Sequence, residues 1–214
     1  GPMQFMYATG WGLLALGGTP SFRSFALRPV LEGFATVDAF SGSTGSYVRT
    51  PTSGVNYHWL TWVGTPWVYD NGTARPEFDL YGVMTLDTSS ERATTSVRLV
   101  APGTGAFVVF RYNEIGHTHY RFGHENGAYG VSYMAGSMDQ PLPVQVQQLA
   151  VVAPSVGDVL EVRQLADGTV ECVVNGTITH RFVDTTSGFR STLTGLASND
   201  ATTRVDDFTV TPLP

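Results

Sequence analysis

The sequence contains no lysine, so all twelve basic residues of this 214-residue chain are arginines. Asp and Glu together number 18 and leave a formal net charge of −6. Nucleic acids and anionic membranes attract proteins through clustered basic side chains. An acidic chain without a basic patch is therefore expected to have neither nucleic acid nor a membrane among its partners.

Cysteine is almost absent as well, and Cys172, the single one, excludes an intrachain disulfide. Long apolar runs are also missing. Residues 11–16, WGLLAL, are apolar, but Gly10, Gly12 and Gly17 interrupt or flank them. A membrane span needs about 20 apolar residues, and a signal peptide needs a basic flank. We therefore expect this stretch neither to anchor nor to export the chain.

The familiar catalytic motifs do not occur. The sequence has no G-x-S-x-G elbow, no P-loop and no metalloprotease motif. Glycoside hydrolysis needs two carboxylates at a suitable separation. Glu77 and Asp79 form an isolated pair, and Asp206 and Asp207 are expected to point to opposite faces of a strand. The sequence therefore predicts a protein that is not an enzyme.

What the chain has in quantity is glycine and turn signals. It contains 24 Gly, while charged residues make up only 14% of it, against about 25% in an average soluble domain. Strand patterns alternate with turn signals such as Asp167-Gly168 and Asn175-Gly176. No long amphipathic helix is apparent. This pattern predicts an all-β fold, an antiparallel two-sheet β-sandwich.

Composition divides the chain into three parts. Residues 1–2, Gly-Pro before a Met, are typical of a tag scar left by a protease. Residues 3–33 are predicted to be an N-terminal arm or linker that packs on the domain or on a neighbouring subunit, and an extra edge strand is the alternative. Residues 34–214 are predicted to form the β-sandwich domain.

The first of the two Gly turns fixes a register. A three-residue loop, Ala166-Asp167-Gly168 with Gly168 in the positive-φ bulge position, places the apolar residues of both strands on one face. Glu171 then lies outside, paired with Arg163 and near Arg181. The inward residues of this register are Leu160, Val162, Val170, Cys172 and Val174.

The second Gly turn is predicted in the same way. A three-residue loop, Asn175-Gly176-Thr177, would direct Val174, Ile178 and Phe182 inward. Cys172 then lies in the core, where a lone cysteine behaves as a small apolar residue.

A hairpin around Asn126-Gly127 carries the first group of candidate ligand residues. A two-residue turn pairs Glu125 with Ala128 and places one aromatic face in the core. The opposite face, with His117, His119 and Arg121, is expected to meet solvent and to offer a polar platform for a ligand. The residues predicted to face the core are Tyr120, Phe122, His124, Tyr129, Val131 and Tyr133.

These histidines are a weak signal for zinc. His117 and His119 share a strand face, but His124 has the opposite parity and no carboxylate stands near. We therefore predict no metal or other cofactor at this hairpin. A structural Ca²⁺ ion between Asp38 and Asp206, near the first and last strands, is a separate candidate; turn capping and surface charge are the alternative role for these two residues.

A tryptophan-rich segment, NYHWLTWVGTPWVYD, carries the second group of candidate ligand residues, Trp59, Trp62, Trp67 and Tyr69. Sugars are held by stacking on exposed aromatic rings beside hydrogen-bonding groups. Packing in the core or between the sheets is the alternative. Trp59 and Trp62 fall on opposite faces of an unbroken strand, so at least one of them is expected in the core.

The ordered set of segments resembles a known family. They are DAFSGSTGSY at 38–47, YHWLTWVGTPWVYDNGTARP at 57–76, TSVRLVAPGTGAFVVFRYNE at 95–114, the two Gly turns within 155–186, and TTRVDDFTV at 202–210. Together they resemble the concanavalin A-like lectin/glucanase jelly roll in its laminin-G-like form, as found in minor tail and receptor-binding proteins of actinobacterial phages. The Glu-x-Asp-x-x-Glu run of glucanases on this fold is missing, so no catalytic residue is carried over.

The resemblance implies a phage tail domain. Its partners would be a host cell-surface polysaccharide and other tail proteins, with a homotrimer as a possible assembly, and its place would be the virion tail after synthesis in the host cytoplasm. Residues 3–33, outside the resemblance, would dock the domain to the fibre or mediate trimerisation. A tail-fibre module without a ligand and a secreted bacterial carbohydrate-binding module are the alternatives.

Overall fold

A computed structural model describes residues 36–52, 58–88, 90–125, 127–136, 138–140, 146–184 and 191–213. The predicted scar and N-terminal arm, residues 1–2 and 3–33, lie outside these ranges. The described residues form sixteen strands and no helix. They accordingly include no helix of the length and apolar character that a bilayer span requires.

The strands follow one another at short intervals, as the turn signals predict. The first eight are β1 (Thr36–Asp38), β2 (Leu60–Val63), β3 (Trp67–Tyr69), β4 (Ala74–Pro76), β5 (Gly82–Asp87), β6 (Ala93–Ala101), β7 (Gly105–Asn113) and β8 (Thr118–Glu125). The others are β9 (Ala128–Ala135), β10 (Met138–Gln140), β11 (Gln147–Gln148), β12 (Val159–Gln164), β13 (Thr169–Val174), β14 (Thr177–Val183), β15 (Leu193–Ser198) and β16 (Arg204–Pro212).

Two antiparallel sheets contain all of these strands. One has the order β11-β14-β13-β12-β6-β16-β4-β3, with β1 also paired to β16, and we call it the nine-stranded sheet. The seven-stranded sheet has the order β10-β9-β8-β7-β15-β5-β2. The prediction of an all-β, antiparallel two-sheet sandwich is confirmed.

The main core lies between the sheets. In β6 buried and half-buried residues alternate, as expected for a strand with one inward face. Phe110 of the seven-stranded sheet stacks on Tyr120, which also contacts Phe182 of the other sheet at 5.6 Å between ring centroids. Burying a large apolar side chain stabilises a fold by about 1.5–3 kcal/mol, so this aromatic core is a major source of stability.

Polar contacts also join the two sheets. The buried hydroxyls of Thr95 and Thr194 are 3.0 Å apart, with one strand of each sheet supplying one of them. Arg111 of β7 donates to Gln164 Oε1 at 3.1 Å and forms an ion pair with Asp184, whose carboxylate is fully buried. A buried carboxylate is tolerated because a guanidinium is in place to compensate it.

The first Gly turn of the β12–β14 meander has the predicted three-residue form. Gly168 has a φ of 83°, Gln164 pairs with Val170, and Cys172 is fully buried. Glu171 lies between two arginines on the outside, 2.5 Å from Arg181 and 3.6 Å from Arg163. The predicted register of β12 and β13 is confirmed.

The second Gly turn differs from the prediction. Val174 pairs with Thr177, so Asn175 and Gly176 alone form the loop, with φ values of 50° and 79°. The extra residue is taken up by a bulge, at which Thr179 is buried and donates its hydroxyl to the Cys172 carbonyl at 3.2 Å. Because an Asn-Gly pair readily takes positive φ at both positions, the tight turn forms and the irregularity moves into the strand. Beyond the bulge Phe182 points inward as predicted, while Ile178 is only half-buried.

A bulge in β16 corrects a second expectation. Asp206 and Asp207 do not point to opposite faces, because the register of β16 against β6 shifts between Asp206 and Thr209 and Asp207 has a φ of 50°. Both carboxylates reach the guanidinium of Arg98, each at 2.7 Å. The bulge turns the second side chain back toward the first.

Candidate functional site

The structure separates the seven predicted site residues into two groups. The hairpin of β8 and β9 has the predicted pairing, Glu125 with Ala128. Its outward residues join the tryptophan of β2 on the outer face of the seven-stranded sheet. The other predicted residues lie near the edge strand β3. The first group is Trp62, His117, His119 and Arg121, and the second is Trp59, Trp67 and Tyr69.

The first group belongs to a network of aromatic and polar side chains that we call the outer-face cluster. Two of its hydrogen bonds each join a tyrosine to a histidine. The Tyr81 hydroxyl lies 2.8 Å from His119 Nε2, and the Tyr112 hydroxyl lies 2.8 Å from His117 Nδ1. The indole of Trp62 stacks on Tyr112. The members of the cluster are Trp62, Tyr81, Tyr112, His117, His119 and Arg121.

Arg121 is enclosed by this cluster. Its Nε donates to Ser132 Oγ at 2.8 Å and its Nη2 to Glu125 Oε2 at 3.1 Å. The guanidinium carbon lies 4.1 Å from the centroid of the Phe107 ring, a cation–π arrangement. Arg121 is 3% exposed and His119 is fully buried. The prediction that these two residues face solvent is wrong, because large side chains of neighbouring strands pack around them.

Burial also decides the charge of His119. Desolvation lowers the pKa of its imidazole from 6.5 to about 4, so it is neutral at pH 7. The Tyr112 hydroxyl has its pKa raised by the same cause. At pH 7 neither group carries a charge, and their rings lie 5.2 Å apart between centroids. The outer-face cluster therefore has the character of a second core.

Two members of the second group, Trp59 and Trp67, line a cavity of about 380 Å³ at the edge of the sandwich. It lies where β2 and β3, each the edge strand of its sheet, meet residues 47–49 and 58–59. Backbone hydrogen bonds hold these segments together, from Val48 N to the Trp67 carbonyl and from Trp59 N to the Arg49 carbonyl. We call this depression the edge cavity.

Two tryptophans form the floor of the edge cavity. Trp59 is 6% exposed and Trp67 1% exposed, so neither presents an open ring face. Tyr69, half-buried beside them, donates its hydroxyl to the Thr50 carbonyl at 3.4 Å. Trp59 and Trp67 therefore line the cavity without offering an open ring face, and Tyr69 is not one of its lining residues.

A buried carboxylate fixes the orientation of Trp59. Its indole Nε1 donates to Asp38 Oδ2 at 2.8 Å. Asp38 Oδ1 accepts from the Phe40 amide at 2.9 Å and from Thr52 Oγ1 at 3.0 Å. Burial raises the pKa of Asp38, but these three donors hold its carboxylate in place.

The rim of the edge cavity carries the groups that are free to bind. Tyr47 is 47% exposed, and Arg49, His58 and Thr61 are exposed as well. None of the four side chains has a hydrogen bond or ion pair within the described residues. The rim thus combines an aromatic ring, a guanidinium, an imidazole and a hydroxyl around one depression.

None of the four rim residues was among the predicted site residues. A signal for them exists in the alternation of the chain: Tyr47 and Arg49 flank the buried Val48, and His58 precedes the buried Trp59. Outward positions beside inward ones are expected wherever an edge strand covers the core. Whether such an outward side chain has a hydrogen-bond or ion-pair partner depends on the tertiary structure. The sequence therefore does not reveal that these side chains have none among the described residues.

The Ca²⁺ candidate has protein partners instead. The Asp38 carboxylate is engaged by Trp59, and Asp206 by Arg98 at 2.7 Å. Across the described ranges no group of three or more His, Cys, Asp or Glu residues is arranged to hold a metal ion.

Comparisons with known proteins find similarity in structure only. A scan of protein-family models gives no match, and a search of curated proteins gives none either. The carbohydrate-binding module CBM66 from Bacillus subtilis is 19% identical, with a TM-score of 0.47 over 72% of this chain and 94% of that one. Galectin LEC-6 from Caenorhabditis elegans is 15% identical, with a TM-score of 0.41 over 64% and 92%. At these identities and scores, the chemistry of the site has to carry any functional conclusion.

Proposed function

We propose that the domain binds a glycan at the edge cavity and does not act on it chemically. The observation that carries this proposal is the rim, where an exposed aromatic ring stands beside three polar side chains without partners. Pyranose rings stack their C–H faces on aromatic rings, and their hydroxyls exchange hydrogen bonds with such groups. Tyr47 supplies the ring, while Arg49, His58 and Thr61 supply the hydrogen bonds.

The size of the cavity agrees with a short glycan segment. Its volume of about 380 Å³ lies in the range of roughly 300–1,000 Å³ that small-ligand sites occupy. An open rim at a sheet edge suits a polymer that passes across the site. Affinity per site would be low, and several copies in one assembly would raise it by avidity.

The arrangement of carboxylates supports a binding role over hydrolysis. No Asp or Glu lines the edge cavity. Asp79 accepts a hydrogen bond from the Ala201 amide at 2.8 Å, and Asp206 and Asp207 both hold Arg98. A glycosidase places two carboxylates on either side of the scissile bond.

For the biological setting we propose a phage tail protein that adheres to a host cell-surface polysaccharide. The ordered resemblance of residues 34–214 to tail proteins of actinobacterial phages supports this setting. Other tail proteins and a homotrimer are the assembly partners that such a role implies. A secreted bacterial carbohydrate-binding module would use the same cavity, and the neighbouring genes separate the two: tail genes on both sides favour the phage.

A glycan array tests the binding function. The full chain should bind a subset of actinobacterial wall polysaccharides, and Tyr47→Ala should lower that binding about tenfold because the stacking ring is lost; tenfold corresponds to about 1.4 kcal/mol. Val151→Ala, at another exposed apolar position, is the matched control and should bind as the wild type does. Silence of the wild type across these polysaccharides would overturn the proposal.

A further inference from the structure

We propose that Arg49 makes the edge cavity selective for glycans that carry an anionic group, a carboxylate or a phosphate. This inference rests on the proposed glycan-binding function and specifies its ligand class. Guanidinium groups pair with carboxylate and phosphate oxygens in a planar, two-pronged geometry that neutral hydroxyls do not reproduce. An exposed arginine on the rim of a binding cavity is placed for such a contact.

Arg49 differs from every other arginine in the described ranges. Seven of the others form ion pairs with Asp or Glu, and Arg92 also has a partner. Arg49 has no hydrogen bond or ion pair through its guanidinium among these residues. In a chain with 18 acidic and twelve basic residues, each cation has an excess of carboxylates to choose from. Among the nine arginines in the described ranges, the one left unpaired lies at the cavity.

The surroundings of Arg49 keep its charge uncompensated. The cavity lining contains no carboxylate. Asp38, which lies beneath Trp59, is already bonded to three donors. Asp70, three residues after Trp67 of the cavity lining, is held by Arg75 at 3.3 Å and by Arg204 at 2.7 Å. These two acids are therefore occupied by other partners.

Different rim residues are placed to contact the sugar ring and its acidic group. Tyr47 and Arg49 are two residues apart and flank the buried Val48, so both side chains leave the chain on the same side. A sugar ring stacked on Tyr47 would place an exocyclic acid within reach of Arg49. His58 and Thr61 remain to bind the hydroxyls.

The test compares a carboxylate polymer with its neutral, carboxyl-reduced form and with a phosphate polymer. Binding of the full chain is measured by calorimetry to polygalacturonic acid, to the same polymer after carboxyl reduction, and to poly(glycerol phosphate). Wild type should bind an anionic polymer at least tenfold more tightly than the reduced one, and the preference should shrink as salt rises. Preference for the first polymer assigns a carboxylate, and preference for the third a phosphate.

Two variants assign the preference to Arg49. Arg49→Gln should bind the charged and reduced polymers equally, with an unchanged melting temperature because its side chain is exposed and unpaired. Arg181→Gln removes the same charge from an exposed arginine of β14, and it should keep the preference. Equal binding of both polymers by wild type, or an equal loss in both variants, overturns the inference while glycan binding stands. If none of the array glycans or these polymers binds, the proposed function itself fails.

Discussion

The outer-face cluster and the edge cavity are built from the same kinds of residue, yet they differ in what their polar groups contact. Each has a tyrosine, an arginine and a histidine beside tryptophan. In the outer-face cluster Tyr81 bonds to His119 and Arg121 bonds to Glu125. In the edge cavity the corresponding groups of Tyr47, Arg49 and His58 are exposed, and none of them pairs with another described residue.

This difference teaches that partner status identifies a binding site better than residue type. A buried polar network whose members satisfy one another has no donor or acceptor left for a ligand. Exposed side chains without protein partners are bonded to water, and they can exchange that water for a ligand without breaking a contact within the protein. The predicted polar platform of His119 and Arg121 therefore behaves as structure, whereas the neglected rim carries the candidate chemistry.

The largest expected difference between the two regions is a pH dependence of stability. Acidification should lower the free energy of unfolding because of His119 in the outer-face cluster. Its pKa in the folded chain is lowered to about 4, so below pH 6.5 the unfolded chain takes up a proton first. The free energy of unfolding should be undiminished above pH 6.5 and fall by up to about 3 kcal/mol as the pH drops to 4. Urea titrations between pH 7 and pH 4 measure this fall.

Two histidine variants isolate that effect. His119→Gln removes the titrating group. The fall in the free energy of unfolding between pH 7 and pH 4 should therefore be smaller by about 3 kcal/mol than in wild type, although the variant should be less stable than wild type at pH 7. His58→Gln changes the exposed histidine of the edge cavity and should follow wild type. Burial also lowers the pKa values of His124 and His180, but both remain in all three proteins and cancel in the comparison. Parallel profiles for wild type and His119→Gln would contradict the prediction.

The second expected effect concerns the two arginines. Arg121→Met loses the bonds to Ser132 and Glu125 and the contact of the guanidinium with Phe107. We expect the free energy of unfolding to fall by about 2 kcal/mol, as for the loss of a buried hydrogen-bonded group. Arg49→Met, the matched change in the edge cavity, should stay within about 0.5 kcal/mol of wild type. Urea unfolding at pH 7 measures both changes. Equal losses of free energy in the two variants would show that Arg121 is no more engaged in the fold than Arg49.

The smallest effect concerns one hydroxyl. Tyr81→Phe removes the 2.8 Å contact with His119 Nε2 and should lower the free energy of unfolding by about 1 kcal/mol. Tyr47→Phe removes an exposed hydroxyl, so it should change neither stability nor stacking of a sugar. Thermal unfolding of the two variants, followed by the glycan array, checks both statements. A Tyr81→Phe protein as stable as wild type would show that this hydroxyl is not structurally engaged.

Much of the scaffold is predictable from local sequence. The Gly168 bulged loop, the pairing of Glu125 with Ala128 and the burial of Cys172 all follow from alternation of side chains and turn chemistry. Short strands without an apolar pattern, such as β4 and β10, are not predictable in this way. Bulges are similarly hidden: the one at Thr179 relieves a tight Asn-Gly turn, and the one at Asp207 directs two carboxylates to one arginine.

The candidate site is less predictable, because its residues are distant in sequence. Trp59 and Trp62 fall on opposite faces, as alternation requires, but nothing in the alternation tells which ring is covered. Trp59 is fixed by Asp38, which is 21 residues away. The edge cavity exists only because β2, β3 and residues 47–49 come together.

By itself the sequence determined an antiparallel β-sandwich, the registers of the β12–β13 and β8–β9 hairpins and an acidic chain rich in arginine, since these depend on neighbours two to ten residues apart. Only the tertiary structure decided which polar side chains find partners. Pairing within the outer-face cluster joins β7, β8 and Tyr81, which precedes β5. The absence of pairing at Arg49 among the described residues depends on where the acidic residues of several distant strands lie. The pairing in the outer-face cluster and the lack of pairing at Arg49 both depend on contacts between strands that are distant in sequence, and local sequence patterns do not predict such contacts.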